Sequence, residues 1–383
     1  MSDTFIDFNE AEQRINRVKA MMDHIRDSGN IYIFGAGLYA LRLKDYLESL
    51  NIEIKGFFVD DGYEDRAMAG PVFPLSSLFD FEDICLIYGM GGGYSSSYYE
   101  TTDRIRQKTE ERKGASFYVM PGDYWMAEAG HLTHEVIDIG YIKEHISEFK
   151  DTFDRLEDDL SREVMKEYLY SSITGDSLRL ADLGTSPEHD YDLDLLFAGC
   201  GEGTVLECGA FDGESIVQMA EYTRCRYPMI ALECDEDNYI KCVANTKDYS
   251  NIDVIKLGAW DKKARLAIIQ SSEASYIKET EDGSEDGIIV DVEAVDSILN
   301  GKKAAALIMD IEGSELKALQ GARNVIAGGA NLAIRVYHRK GDLIDIPRFI
   351  SEINSSYKYY VRFNRGANLC RTGDETTLYA IAR

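Results

Sequence analysis

Thr204-Val205-Leu206-Glu207-Cys208-Gly209-Ala210-Phe211-Asp212-Gly213-Glu214-Ser215 reads as a buried strand that ends in a carboxylate, turns on glycine and starts a helix. Glycine at such a turn lets the backbone approach a ligand closely and leaves N–H groups exposed at the helix start. Alone, the pattern fits a tight strand–helix turn of any α/β protein. Three later stretches sharpen it. Ile230-Ala231-Leu232-Glu233-Cys234-Asp235 puts an acid at a strand end, about 20 residues past the glycines, where Rossmann domains place the carboxylate that binds ribose hydroxyls. Ile308-Met309-Asp310-Ile311-Glu312-Gly313 adds two carboxylates, and Val336-Tyr337-His338 ends another apolar run. In a parallel sheet these tips share one edge, the edge where α/β proteins bind ligands.

Around this stretch, apolar runs alternate with helical periodicity. Strands are expected at Met229 to Glu233, Val254 to Gly258, Leu266 to Gln270, Ile288 to Val292, Ala306 to Asp310, Leu332 to Tyr337, Tyr359 to Arg362 and Leu378 to Ile381. Helices fit at 214–222, 235–245, 313–320 and 345–356, and Glu273 to Gly287 reads as an acidic exposed loop. Upstream, a helix over 10–28 with Ala11, Ile15, Val18, Met21, Met22 and Ile25 on one stripe leads into a strand at Ile31 to Phe34 and a helix at Leu38 to Leu50. Further strands fall at Ile52 to Asp60, Ile84 to Tyr88 and Ser116 to Met120. Between them, Ile142 to Leu169 is a charged amphipathic stretch. The expected fold is α/β: two Rossmann-like parallel-sheet domains, 1–125 and 201–383, joined by a helical connector over 126–200.

The motifs VLECGAFDGES (205–215), IALECDEDNYIKCVAN (230–245), NIDVIKLGAW (251–260), IMDIEGSELKALQGA (308–322), LAIRVYHRKGDLIDIP (332–347) and ETTLYA (375–380) together resemble the FkbM-type methyltransferases, a class I S-adenosylmethionine-dependent group. The resemblance implies that Glu207, Gly209, Ala210 and Gly213 line the methionine part of the cofactor. It implies that Glu233 holds the ribose hydroxyls and that Gly258 and Ala259 border the adenine. Asp310 and Glu312 match the acidic signature beside the reacting centre, and His338 and Asp342 match the family's YH…D segment. Ile308 stands where the family often has Lys, and Arg362-Phe363 where it often has Arg-His.

The donor methyl on a sulfonium is already activated, so the enzyme's work is to align an acceptor, exclude water and take up a hydroxyl proton. His338 is the expected base, since an ordinary imidazole titrates near neutrality. Asp310 orients it, serves as the base itself or holds the cofactor's ammonium. Both also have a plainer reading, as a satisfied structural His and a helix cap. Arg339, Arg362 and Glu375 read first as solvated surface charge. Asp310, His338 and Asp342 form a conceivable metal set, but nothing in the spacing requires one, and no metal is expected.

In the N-terminal module, Ile33-Phe34-Gly35-Ala36-Gly37-Leu38-Tyr39-Ala40 is a GxGxxA turn between strand and helix, with Asp60 after the next strand. It resembles the N-terminal domains of nucleotide-sugar-handling enzymes, and Gly35, Gly37 and Asp60 are its candidate nucleotide site. A second glycine loop at Gly89 to Gly93, with Ser95 to Ser97, is a further phosphate cradle. A nucleotide-sugar or NAD(P)-dependent enzyme, or a scaffold with both modules inactive, are the rival readings.

Composition narrows the partners. With 68 Asp and Glu against 41 Lys and Arg in 383 residues, the net charge is −27, which repels nucleic acid and anionic membranes. The N-terminus shows no signal-peptide pattern and no apolar run reaches membrane length. Seven Cys without a CxxC pair read as buried thiols of a reducing cytosol. His131 and His134 are the only close histidine pair. The acceptor is expected to be a small polar molecule, most plausibly a sugar or glycan precursor; a homo-oligomer is left open.

Overall fold

The structure is a computed structural model and describes residues 5–68, 70–90, 97–120, 125, 129, 135–175, 178–185, 189–270, 275–278, 288–363 and 375–382. The chain divides into two compact units, one of Met1–Leu132, Lys166–Asp182 and Gly366–Gly373, the other of Thr133–Met165, Leu183–Arg365 and Asp374–Arg383.

The first unit is built on five strands, β1 (Asn30–Phe34), β2 (Ile54–Val59), β3 (Val72–Pro74), β4 (Ile84–Tyr88) and β5 (Ser116–Tyr118), in the order β3-β2-β1-β4-β5. All pairs are parallel. β4 is buried along its whole length, as expected of a strand covered on both faces. The helix Phe8–Asp27 starts where the Asp7 carboxylate accepts the Asn9 N–H. Its inner stripe is Ala11, Arg14, Val18, Met22 and Ile25. Ile15, expected inside, is half-buried, and Arg14 takes the inner place. The Arg14 guanidinium binds Glu10 and Glu167 at 2.6 Å each and lies over the Tyr170 ring at 4.3 Å. A buried charge is tolerated only with such partners.

The second unit has eleven strands: β6 (Thr204–Cys208), β7 (Met229–Leu232), β8 (Ile252–Ile255), β9 (Gly258–Trp260), β10 (Ala264–Gln270), β11 (Ser275–Lys278), β12 (Ile288–Ala294), β13 (Ala304–Met309), β14 (Asn331–Arg335), β15 (Lys358–Phe363) and β16 (Thr376–Ile381). Seven of them form one sheet, β15-β16-β14-β13-β6-β7-β8. β6, β7, β8, β13 and β14 run parallel, and β16 runs antiparallel to β14 and β15. β6 and β13 are buried throughout. The order reverses at β6, which has β7 on one side and β13 on the other, and this opens the crevice in which doubly wound sheets bind ligands.

The structure corrects some of these expectations and refines others. Val254 to Gly258 is not one strand. Glu233 takes Ile255 O with its N–H and Leu257 N–H with its carbonyl, and the chain then leaves the sheet. β9 to β12 form a separate four-stranded sheet, β11-β10-β12-β9, with β10 antiparallel to both neighbours. β11 falls within the expected acidic loop, most of which lies outside the described residues. The amphipathic stretch 142–169 is three helices, Ile139–Glu144, Ile146–Arg155 and Asp159–Thr174. Extended Leu156 interrupts it because it bridges Tyr359 of β15, and Glu157 N–H bonds Tyr359 O. The helix expected at 345–356 is Asp342–Ile353. Among the described cysteines, Cys225 is exposed and Cys200 and Cys234 are half-buried. No helix among the described residues is long and apolar enough to cross a membrane.

Candidate active site

Three neighbouring strands carry the acids to one edge. Asp310 N–H bonds Cys208 O, so the ends of β13 and β6 are tied together. Gly209 lies at φ +83, and a Cβ there would overlap the Asp310 carbonyl oxygen; only glycine lets the first turn pass this close to β13. Gly213, at φ +85, precedes the helix Glu214–Tyr222. Ala210 is buried beside them.

Glu207 is 1% exposed. Its Oε1 accepts Ser215 Oγ–H at 2.5 Å, while Oε2 has no hydrogen-bond partner among the described residues. Burial, with Asp190 and Asp310 nearby, pushes its pKa up to about 8 against the pull of Arg335 and Ser215.

Glu233 is also buried, but both its oxygens are occupied. Oε2 accepts Phe211 N–H and Oε1 accepts Asp235 N–H, each at 2.8 Å. It therefore fastens the glycine turn to the end of β7. Burial raises its pKa and these backbone donors oppose the rise. Phe211 itself stands at φ +49 with its ring exposed. Gly258 and Ala259 follow directly after Leu257, whose N–H bonds Glu233 O, and both are buried.

Asp310 meets two cations. Arg335 Nε lies 3.2 Å from Oδ2, and His338 Nε2 lies 3.6 Å from Oδ1. Arg335 is buried, pairs also with Glu375, donates to Thr377 Oγ1 at 2.8 Å, and lies 4.6 Å over the Tyr191 ring. Glu375 is thus a buried-pair partner, not solvated charge. Arg362 is likewise buried and binds Asp158 at 2.6 Å. Arg339 remains at the surface, 3.1 Å from Glu135.

His338, the expected base, is enclosed by carboxylates. It is 3% exposed, with Nδ1 2.8 Å from Glu315 Oε1. Burial lowers its pKa, but Glu315, Asp310 and Glu312 outweigh burial and raise it to about 10. At neutral pH it is an imidazolium and holds no free lone pair for a substrate proton. Glu315, fully buried, is correspondingly held below the carboxylate range and also accepts Ile311 N–H at 2.9 Å. Asp342 accepts Arg339 N–H at 2.8 Å, and burial beside Glu315 pushes its pKa up to about 8.

Sequence reasoning missed Glu315, Arg335, Tyr191 and Ser215. One signal was readable: Arg335 interrupts the apolar run Leu332 to Tyr337, and a charge inside a buried strand demands partners. Glu315 gave none, being indistinguishable from an ordinary acid in a first helical turn.

In the first unit, Gly35 stands at φ +107 against Gly89 O, and Gly37 precedes the helix Leu38–Ser49. Asp60 is paired with Arg104. Gly91 to Ser96 of the second glycine loop, and His131 and His134, lie outside the described residues.

With the geometry in view, comparison decides the class. Residues 207–357 match the family model described as the methyltransferase FkbM domain. This stretch is similar to the FkbM methyltransferase domain. The chain is therefore an enzyme, a methyltransferase, and S-adenosylmethionine is its cofactor. The fold agrees over nearly the full length with the crystal structure of methyltransferase FkbM from Methylobacillus flagellatus: 20% identity over 97% of this chain and 98% of that one, TM-score 0.66. A methyltransferase described as S-adenosylmethionine-dependent from Aquifex aeolicus shares 14% identity over 50% of this chain and 90% of its own, TM-score 0.29. The N-methyltransferase NodS from Bradyrhizobium japonicum, solved with S-adenosylhomocysteine, shares 12% over 58% and 97%, TM-score 0.27. No curated protein matches the chain. The FkbM domain spans Glu207, Glu233, Asp310 and His338, the acids and the imidazole of the strand edge.

Proposed function

We propose that the chain is an O-methyltransferase that methylates a hydroxyl of a small, neutral, sugar-like acceptor. The observation that carries this reading is Glu207 Oε2, a buried carboxylate oxygen without a hydrogen-bond partner among the described residues, in the crevice where the strand order reverses. It fits the α-ammonium of S-adenosylmethionine, with Gly209, Ala210 and Gly213 bordering the methionine part. Glu233 keeps the turn in shape and offers its remaining lone pairs to the ribose; Gly258 and Ala259 border the adenine. When bound, the cofactor supplies a methyl group on a sulfonium, and transfer to oxygen leaves the neutral thioether S-adenosylhomocysteine. The chain's residues align the acceptor and receive its proton. The partly exposed carboxylates of Asp310 and Glu312 accept hydroxyl hydrogen bonds, and Asp310 is the group placed to take the proton. Arg335 and the His338 imidazolium hold Asp310 in position. A site this acidic repels carboxylated and phosphorylated acceptors, which favours neutral polyols.

The test is methyl transfer from S-adenosylmethionine to a panel of neutral sugars, uronic acids, sugar phosphates and amines, read by product mass and linkage. O-methylated neutral sugar is expected; transfer confined to amines or to anionic acceptors refutes the reading.

Two predictions arise from the same contacts. Glu233→Ala removes the acceptor for two backbone N–H groups and is expected to weaken S-adenosylhomocysteine about 10-fold or more by calorimetry; unchanged affinity excludes the assignment. Because Glu207 is neutral at pH 7 without ligand and anionic beside an ammonium, binding should expel close to one proton, about 0.9, near pH 7, and almost none above pH 9.5. Binding heats in phosphate and Tris buffers, which ionise with different enthalpies, measure this directly.

A further inference from the structure

Glu312 stands at φ +54 and is followed by Gly313 at φ +88. Left-handed backbone is costly for a non-glycine residue and lasts only where neighbouring groups hold it. The neighbour here is Arg339. A Cβ on Gly313 would lie 2.5 Å from Arg339 Nε, so the guanidinium rests against the bare glycine, and Nε also donates to Gly313 O at 3.4 Å. A long side chain of this kind loses much rotamer freedom when it is fixed. Glu135 fixes it. Glu135 Oε1 lies 3.1 Å from Arg339 Nη1, and Oε2 accepts Lys340 N–H at 3.2 Å. The Glu135 N–H donates to His338 O at 3.0 Å. One residue thus grips three consecutive ones, and Asp138 adds to the grip with Oδ2 3.4 Å from Lys340 Nζ. An isolated surface ion pair holds little in place. Glu135 differs because two of its three contacts are to main-chain atoms, so its carboxylate is already set where Arg339 meets it.

We propose that Glu135 is a positioning residue for methyl transfer: through Arg339 it braces the Glu312–Gly313 turn and so sets where the Glu312 carboxylate meets the acceptor. Glu135 precedes Arg339 by 204 residues and lies outside the 207–357 stretch that matches the family model. The stretch that carries the strand-edge acids therefore takes part of its acceptor side from the segment before it. The effect on catalysis rests on the methyl-transfer reading; the bracing of the turn does not.

The experiment uses the full chain with Glu135→Ala, Arg339→Ala and the double variant. Both side chains are nearly half exposed, and thermal melts followed by circular dichroism establish that the variants fold. Glu135→Gln, which removes only the charge, keeps the test valid if Glu135→Ala misfolds. The first readout needs no acceptor. Ser314 N–H closes the turn on Ile311 O at 3.2 Å, and its hydrogen exchange is expected to quicken about 10-fold in each variant. The second readout is kinetic. Each single variant is expected to lower kcat/KM for the acceptor at least about 10-fold, the scale of a slightly misplaced reacting group, while S-adenosylhomocysteine affinity stays unchanged. The double variant should be no slower than Arg339→Ala alone, because Glu135 acts through Arg339. Unchanged Ser314 exchange in the Glu135 variants overturns the proposal. So do unaltered kinetics, effects that multiply in the double variant, or a loss of cofactor affinity as large as the loss of rate. A wild type that methylates nothing refutes the methyl-transfer reading alone, and Ser314 exchange then still decides whether Glu135 braces the turn.

Discussion

Glu207→Gln is expected to weaken S-adenosylhomocysteine binding roughly 30- to 150-fold, about 2–3 kcal/mol, while leaving the ligand-free protein folded. The buried carboxylate is the site's answer to an ammonium, and a hydrogen bond to a charged group in a desolvated place contributes on that scale. Glutamine keeps the volume and the oxygen that accepts from Ser215 but loses the charge. Stability should move the other way. The folded chain holds Glu207 at about pH 8, above the ordinary carboxylate range. Its protonated form is therefore favoured in the fold, and the contribution is fully present at acid pH and lost as pH rises through 8. Gln cannot ionise. The variant and wild type should melt alike near pH 4, and the variant should melt several degrees higher at pH 9. Equal cofactor affinity in calorimetry would remove Glu207 from the cofactor site.

Glu315→Ala is expected to cost about 3–5 kcal/mol in urea denaturation of the protein at pH 7, the scale on which a buried pair fails when one partner is removed. It strips the Nδ1 partner from a fully buried imidazolium and the acceptor from Ile311 N–H. The pH window is set by both members. His338 is raised to about 10, so its share is present at neutral pH and lost as pH rises through 10; Glu315 is lowered, so its share is lost only in acid. The difference between wild type and variant should therefore shrink above pH 10. A loss below about 1 kcal/mol at pH 7, the level of a surface ion pair, would show that His338 does not depend on this carboxylate.

The comparison between Glu233 and His338 shows how far a residue's identity carries. Glu233 was legible as an acid at a strand tip, because a run such as Met229 to Leu232 buries itself and the next polar residue must stand at its end. That it spends both oxygens on Phe211 and Asp235 N–H groups depends on how the turn after β6 folds over β7, which no local pattern encodes. His338 was legible as chemistry, but the groups around it were not. The imidazole takes its pKa from three carboxylates on the segment after β13 and at the start of the next helix.

Arg14 and Arg362 make the same point outside the site. Helical spacing placed the stripe of Phe8–Asp27 within one residue, yet could not foresee that a guanidinium sits inside it, because its partner Glu167 lies 153 residues away. Arg362 read as surface charge, yet β15 buries it against Asp158.

The order of residues along the chain determined the alternation of buried strands and helices, the glycine turn after β6 and the acids at the tips of β7 and β13, since burial and glycine's backbone freedom act over a few neighbouring residues. Only the tertiary structure decided which tips adjoin, which carboxyl is left unpaired and which imidazole stays charged. Those outcomes are sums of desolvation and Coulomb terms over groups brought together from distant parts of the chain.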